Sequence, residues 1–121
     1  MAIPKHRDWM CKLAYASNAS NAADLLLLPV TIGHKQSSAM VDSGASHNFI
    51  STTMLSMLKS SVPDAVSWRY SSEPLRVLLV DQTVVLSTKI AALKLKFDDG
   101  SVHCVEFRAE PRLNHPLILG L

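Results

Sequence analysis

A mainly β domain, closed or nearly closed on itself, is the fold class that this 121-residue sequence predicts. Three observations predict it. Short apolar, β-rich runs recur along the chain with turn signals between them. Ile90–Phe97 alternates, with Leu93, Leu95 and Phe97 on one face and Lys94 and Lys96 on the other. Within residues 25–121 one stretch, with Ile50, Met54, Met57 and Leu58, has the spacing of a helical face. With 48% apolar and 18% charged residues, the composition suits a folded globule. A chain of this size buries about two thirds of its unfolded surface, enough for one core without staples.

The elements follow in order. Residues 1–24 read as an N-terminal extension and linker, with Trp9, Leu13 and Ala16 at helical spacing and Ser17–Asn21 as the linker. The domain itself is placed at residues 25–121. Leu25–Ile32 is a first strand, Gly33-His34-Lys35 a hairpin turn, and Gln36–Val41 the return strand. After the turn at Asp42-Ser43-Gly44, Ser46 is expected to cap the helix whose face runs from Ile50 to Leu58. Ser60–Glu73 is polar and interrupted by Pro63, so it reads as a loop with room for a short strand, and Pro74 ends it. Leu75–Val80 and Thr83–Leu86 form a hairpin around Asp81-Gln82. A two-residue type I′ turn needs positive φ at both central positions, which Gln resists, so a longer loop is expected there. Asp98-Asp99-Gly100-Ser101 is a strong turn, Val102–Phe107 returns from it, Pro111–Pro116 is irregular, and Leu117–Leu119 is a last buried strand.

Several function classes are disfavoured. The net charge of +2 is too mild to argue for nucleic acid or a membrane surface as partner. No apolar run approaches the roughly 18 residues of a membrane span, and the N-terminus lacks a secretory apolar region, so a cytoplasmic protein is expected. Cys11 and Cys104 match no zinc or redox spacing and read as reduced packing thiols. Neither metal nor cofactor is expected. His103 and Cys104 are adjacent on a strand and point to opposite faces, which speaks against a Cys-His peptidase. No Gly-x-Ser-x-Gly elbow suggests a serine hydrolase. Trp68, Arg69 and Tyr70 are weak evidence for a partner surface.

The chemistry concentrates at Asp42-Ser43-Gly44-Ala45, which follows the apolar run Ala39-Met40-Val41 and is answered by Leu117-Ile118-Leu119-Gly120. Peptide hydrolysis without metal or covalent nucleophile needs an activated water and an acid for the carbonyl and leaving nitrogen. Two carboxyl groups sharing one proton can do both. At about 3 Å two carboxylates repel by roughly 5 kcal/mol at an effective dielectric near 20, so both do not ionise together. Asp42 would supply one carboxylate, Ser43 a hydroxyl that fixes the partner loop, Gly44 the sharp turn and space for substrate, and Ala45 a small residue beneath it. The competing structural reading is an Asx turn leading into a helix cap. Asp98-Asp99-Gly100 lacks the hydroxyl residue, so each chain supplies the catalytic turn once, and a two-fold axis would set Asp42 against its own copy in a homodimer.

Val41-Asp42-Ser43-Gly44-Ala45-Ser46-His47-Asn48-Phe49-Ile50-Ser51 resembles the active-site segment of retropepsins from gypsy-type LTR retrotransposons. Pro116-Leu117-Ile118-Leu119-Gly120-Leu121 is similar to the same family's closing motif. The resemblance covers residues 25–121. It implies a retropepsin-like acid protease barrel with one short helix after the catalytic loop, and an active site on a homodimer axis where the two Asp42 carboxylates form the dyad. It implies that Ser43, Gly44 and Ala45 support the loop and that Ser46 and His47 line the substrate cleft. The hairpin at Val80, Asp81 and Gln82 would be the flap, and Ile118, Leu119 and Gly120 would form the strand crossing the loop. The implied activity is aspartic endopeptidase cleavage of peptides or a polyprotein. Alternatives are an inactive protease-fold module used for dimerisation or peptide binding, and the retropepsin-like domain of a DNA-damage-inducible shuttle protein. The sequence departs from viral members in having Ser46 in place of an Asp and no Gly at the flap tip. It stops at Leu121, so the C-terminal segment of the domain is expected to be trimmed.

Overall fold

The computed structural model describes residues 10–12, 26–79, 81–113 and 115–120. In chain order the elements are β1 (Met10–Lys12), β2 (Leu26–Ile32), β3 (Lys35–Asp42), β4 (Phe49–Ser51), helix α1 (Thr52–Ser61), a 3₁₀ turn (Pro63–Ala65), β5 (Val66–Leu78), β6 (Val84–Phe97), β7 (Val102–Glu110) and β8 (Leu117–Gly120).

Local chemistry builds the hairpins. Gly33 takes φ +62° at the first position of the two-residue turn joining β2 to β3, so Ile32 pairs directly with Lys35. At the β6–β7 turn, Gly100 at φ +87° donates its N–H to the Phe97 carbonyl at 2.9 Å, and the Phe97 N–H bonds the Ser101 carbonyl at 2.9 Å. The β5–β6 turn repeats that pattern. The Leu79 N–H bonds the Thr83 carbonyl at 2.8 Å, and the Gln82 N–H bonds the Leu79 carbonyl at 3.0 Å. The longer loop expected here is present, and it is Gln82 that accepts positive φ, at +71°.

Around these hairpins the sheet closes. Strand β6 pairs with β2, β2 with β3, β3 with β8, β8 with β4, β4 with β7, and β7 again with β6. The β3–β8 and β4–β7 ladders are parallel and the other four are antiparallel. Strand β5 extends the sheet from β6, and β1 adds in parallel to the outer edge of β5. One core lies inside the ring, with Ile32, Leu93, Leu95, Phe107 and Leu117 meeting Leu55 and Leu58 of α1. A smaller cluster joins Met40, Ala45, Phe49 and Ile118 to Leu75, Val77 and Leu79 of the β5–β6 hairpin. Each fully buried Leu or Phe contributes about 2 kcal/mol.

Three expectations are corrected. Ser46 does not cap the helix. Ser51 does, accepting the Met54 N–H at 3.0 Å, because Phe49–Ser51 is drawn into the sheet between β7 and β8. The helix therefore starts later and buries Met54, Leu55 and Leu58, while Met57 is 40% exposed. Most of the loop expected at Ser60–Glu73 is strand β5. Its first half is polar because it is exposed, and its order comes from pairing with Lys89–Leu93 of β6 rather than from burial. The register shift between Tyr70 and Leu75 accommodates Pro74. In the N-terminal extension, Met10–Lys12 is strand rather than helix; Trp9, Leu13 and Ala16 lie outside the described residues.

Candidate active site

Asp42 is the last residue of β3 and is 9% exposed. Its side-chain Oδ1 accepts the Gly44 N–H at 2.8 Å, and its carbonyl accepts the Ala45 N–H at 3.2 Å. The chain thus folds back tightly on the carboxylate, leaving Ser43 and Gly44 exposed at the surface while Ala45 turns inward. Ala45 is 1% exposed and packs among Met40, Phe49 and Ile118.

The loop from Ser43 to Asn48 joins β3 to β4, and β8 runs between those two strands. Asp42 pairs with Gly120, and Phe49 with Ile118. The end of β8 therefore lies directly under the loop. A Cβ at Gly120 would stand 2.6 Å from the Ala45 carbonyl oxygen and 2.5 Å from that of His47, so only glycine permits the crossing. Ile118 faces the Ala45 cluster, whereas Leu119 packs against the main core.

Ser46 and His47 interact with each other, Oγ to Nδ1 at 3.2 Å. With Asn48, Glu106, Arg108 and Gly120 they line a polar recess of about 410 Å³ beside the loop. Asp81 and Gln82 are exposed at the tip of the β5–β6 hairpin, and Asp81 Oδ1 accepts the Thr83 N–H at 2.9 Å. Bonding to Thr83 holds the Asp81 carboxyl below the usual range. Val80, also expected at this tip, lies outside the described residues. Leu75, Val77 and Leu79 of the hairpin join the Ala45 cluster. Among the described residues no group of three His, Cys, Asp or Glu side chains is arranged to hold a metal ion.

Sequence reasoning missed Asn48. Its Oδ1 accepts the Gly120 N–H at 3.0 Å, its Nδ2 donates to the Glu106 carbonyl at 3.0 Å, and its own carbonyl accepts the Arg108 N–H at 2.8 Å. One residue thereby joins the end of the loop to β7 and β8. The available signal was an amide side chain immediately before the buried Phe49-Ile50, a place where an unpaired polar group would be costly.

Neither a protein-family profile nor a curated protein matches the sequence. Solved structures do match. The retroviral protease-like domain of Ddi1 from Leishmania major superposes with a TM-score of 0.50 at 18% identity, over 80% of this chain and 70% of that one. The fold is that of a retropepsin-like protease. Also similar are the simian foamy virus (mac) protease, with TM-score 0.46, 16% identity, and 78% of this chain and 87% of that one covered, and a retropepsin-like aspartic protease from Rickettsia conorii, with TM-score 0.46, 13% identity, and 82% and 76% covered. In this retropepsin-like barrel, the β3–β4 loop carries Asp42, β8 crosses below it, and the β5–β6 hairpin packs against its floor.

Proposed function

We propose that residues 25–121 form half of an aspartic endopeptidase, in which Asp42 and the Asp42 of a second copy activate one water between them. The observation that carries this reading is the setting of Asp42: a largely buried carboxylate on a Gly44 turn, braced from below by Gly120 and flanked by an exposed Ser43. One carboxylate would act as base toward water and the other as acid toward the scissile carbonyl and leaving nitrogen. Ser43 is free to reach the partner loop. The end of the β2–β3 ladder beside Asp42, where Leu26 pairs with Val41, carries Leu26 at 60% and Leu27 at 50% exposure, and these supply apolar area for the dimer. Ser46, His47 and the adjoining recess would receive the substrate backbone and polar side chains. The substrate class is an extended peptide, within a polyprotein if the origin is the gypsy-type element that the Val41–Ser51 segment resembles. No described helix is long and apolar enough to cross a membrane.

The test is digestion of a mixed peptide library by wild type and by Asp42→Asn. The wild type is expected to cleave, and the variant to lose about 10³-fold or more of the rate. Equal cleavage by the two would end the proposal. The absence of glycine from the tip sequence Leu79-Val80-Asp81-Gln82-Thr83 favours one second reading, a peptide-binding module without catalysis. Binding of library peptides with cleavage by neither protein would favour that reading.

A further inference from the structure

The outer edge of β5 is a long row of backbone groups, and among the described residues a strand occupies only part of it. Met10, Cys11 and Lys12 of β1 pair in parallel with Arg76, Val77 and Leu78. The other residues of β5, from Val66 to Leu75, have no strand on that side among the described residues. The position of the paired segment has a cause. Pro74 has no N–H to offer, and the register shifts between Tyr70 and Leu75, so the edge is interrupted there and its regular stretch next to the hairpin tip follows Pro74. That same segment packs against the candidate site. Val77 is fully buried in one cluster with Ala45 and Ile118, so a strand laid on this edge lies alongside the hairpin that packs against the floor of the Asp42 loop. An open strand edge recognises extended peptide through its main chain, with little demand on sequence.

We propose that the Arg76–Leu78 edge is a docking site for extended peptide and that Met10–Lys12 is its built-in competitor, guarding the edge in cis. The inference rests on reading the β5–β6 hairpin as the flap of the proposed peptidase. A tethered strand acts at an effective concentration of about millimolar, enough to exclude peptides of weaker or comparable affinity. A peptide from another molecule binds in proportion to the time the guard is off, so weakening the guard raises its apparent affinity.

The experiment uses the full chain carrying Asp42→Asn, so that no peptide is cut. Proline is introduced in two ways, as Cys11→Pro and as the pair Met10→Pro with Lys12→Pro. Between them the two variants cover all three positions of β1, so at least one removes a bonded N–H. The Leu79 N–H faces Thr83 on the β6 side, so by alternation Val77 also faces β6, and Arg76 and Leu78 face β1. Amide exchange at Arg76 and Leu78 is expected to accelerate at least about tenfold, while Val77, Leu93 and Leu95 stay protected and report an intact fold. A synthetic peptide of residues 6–16 added in trans is expected to restore that protection, and to bind the proline variant about tenfold or more tightly than the unsubstituted chain. Unchanged exchange at Arg76 and Leu78 in both variants would overturn the inference. So would faster exchange with no gain in peptide affinity. Neither readout involves cleavage, so a wild-type chain that hydrolyses nothing would sink the proposed peptidase and leave these two results to decide the guard.

Discussion

Asn48 links the loop to the barrel. Its amide holds the Gly120 N–H and the Glu106 carbonyl, two backbone groups of different strands. Asn48→Ala leaves both without that partner, and a loss of about 2 kcal/mol is expected from urea titration. Glu110 makes a separate test at the end of β7. It is 1% exposed, its Oε1 accepts the Arg112 N–H at 3.2 Å, and burial pushes its carboxyl above the usual range. The sign follows from linkage. A carboxyl raised in the folded state contributes stability that is complete below its ordinary value and is lost as pH rises through the folded value. The stability of Glu110→Gln relative to wild type is therefore expected to increase with pH across that window and to level off above it. A relative stability that falls with pH would contradict the assignment.

At the scale of elements, the two long hairpins share one loop design. Asp81-Gln82-Thr83 and Asp99-Gly100-Ser101 each place an Asp whose Oδ1 accepts the N–H two residues on, at 2.9 Å in both, around a residue with positive φ. The repeat is visible in the sequence once the structure is known. Alone, Gln82 argued against it, because an L-residue with a side chain resists that conformation by about 1 kcal/mol or more. The bonds from Leu79, Thr83 and Asp81 overcome the resistance. Gln82→Gly is expected to stabilise the fold by about 1 kcal/mol, read as a rise of ~4 °C in thermal midpoint. Helix α1 shows the reverse case. Its periodicity pointed to a real helix, but pairing of Phe49–Ser51 with β7 and β8 shifted the start and turned Met57 outward.

For the whole molecule, the decisive quantity is how many catalytic turns one chain carries. There is one Asp-Ser-Gly, so the proposed activity belongs to a pair. Activity per mole is expected to rise with protein concentration through the dissociation range and then to level. Replacing Leu26 and Leu27 together by Glu is expected to move that range upward by at least about tenfold, measured by sedimentation alongside activity. Activity per mole that stays flat while the mass falls from dimer to monomer would reject the shared site.

Much of the barrel was legible because its signals are local. Alternation in Ile90–Phe97, the Gly33 and Gly100 turns, and the apolar run ending at Gly120 each report a strand or its limit within a few residues. The Asp42-Ser43-Gly44 turn was legible for the same reason, since the glycine N–H that bonds the carboxylate is two residues away. Strand β5 was not legible in its exposed first half, because pairing with β6 orders a polar segment that buries little. The tie from Asn48 to Gly120 spans 72 residues, and the β1 pairing with β5 joins segments just as remote. Spacing along the chain carries no record of such contacts. They exist only once ring closure has brought distant backbone groups within bonding distance, where each must find a partner or forfeit its hydration.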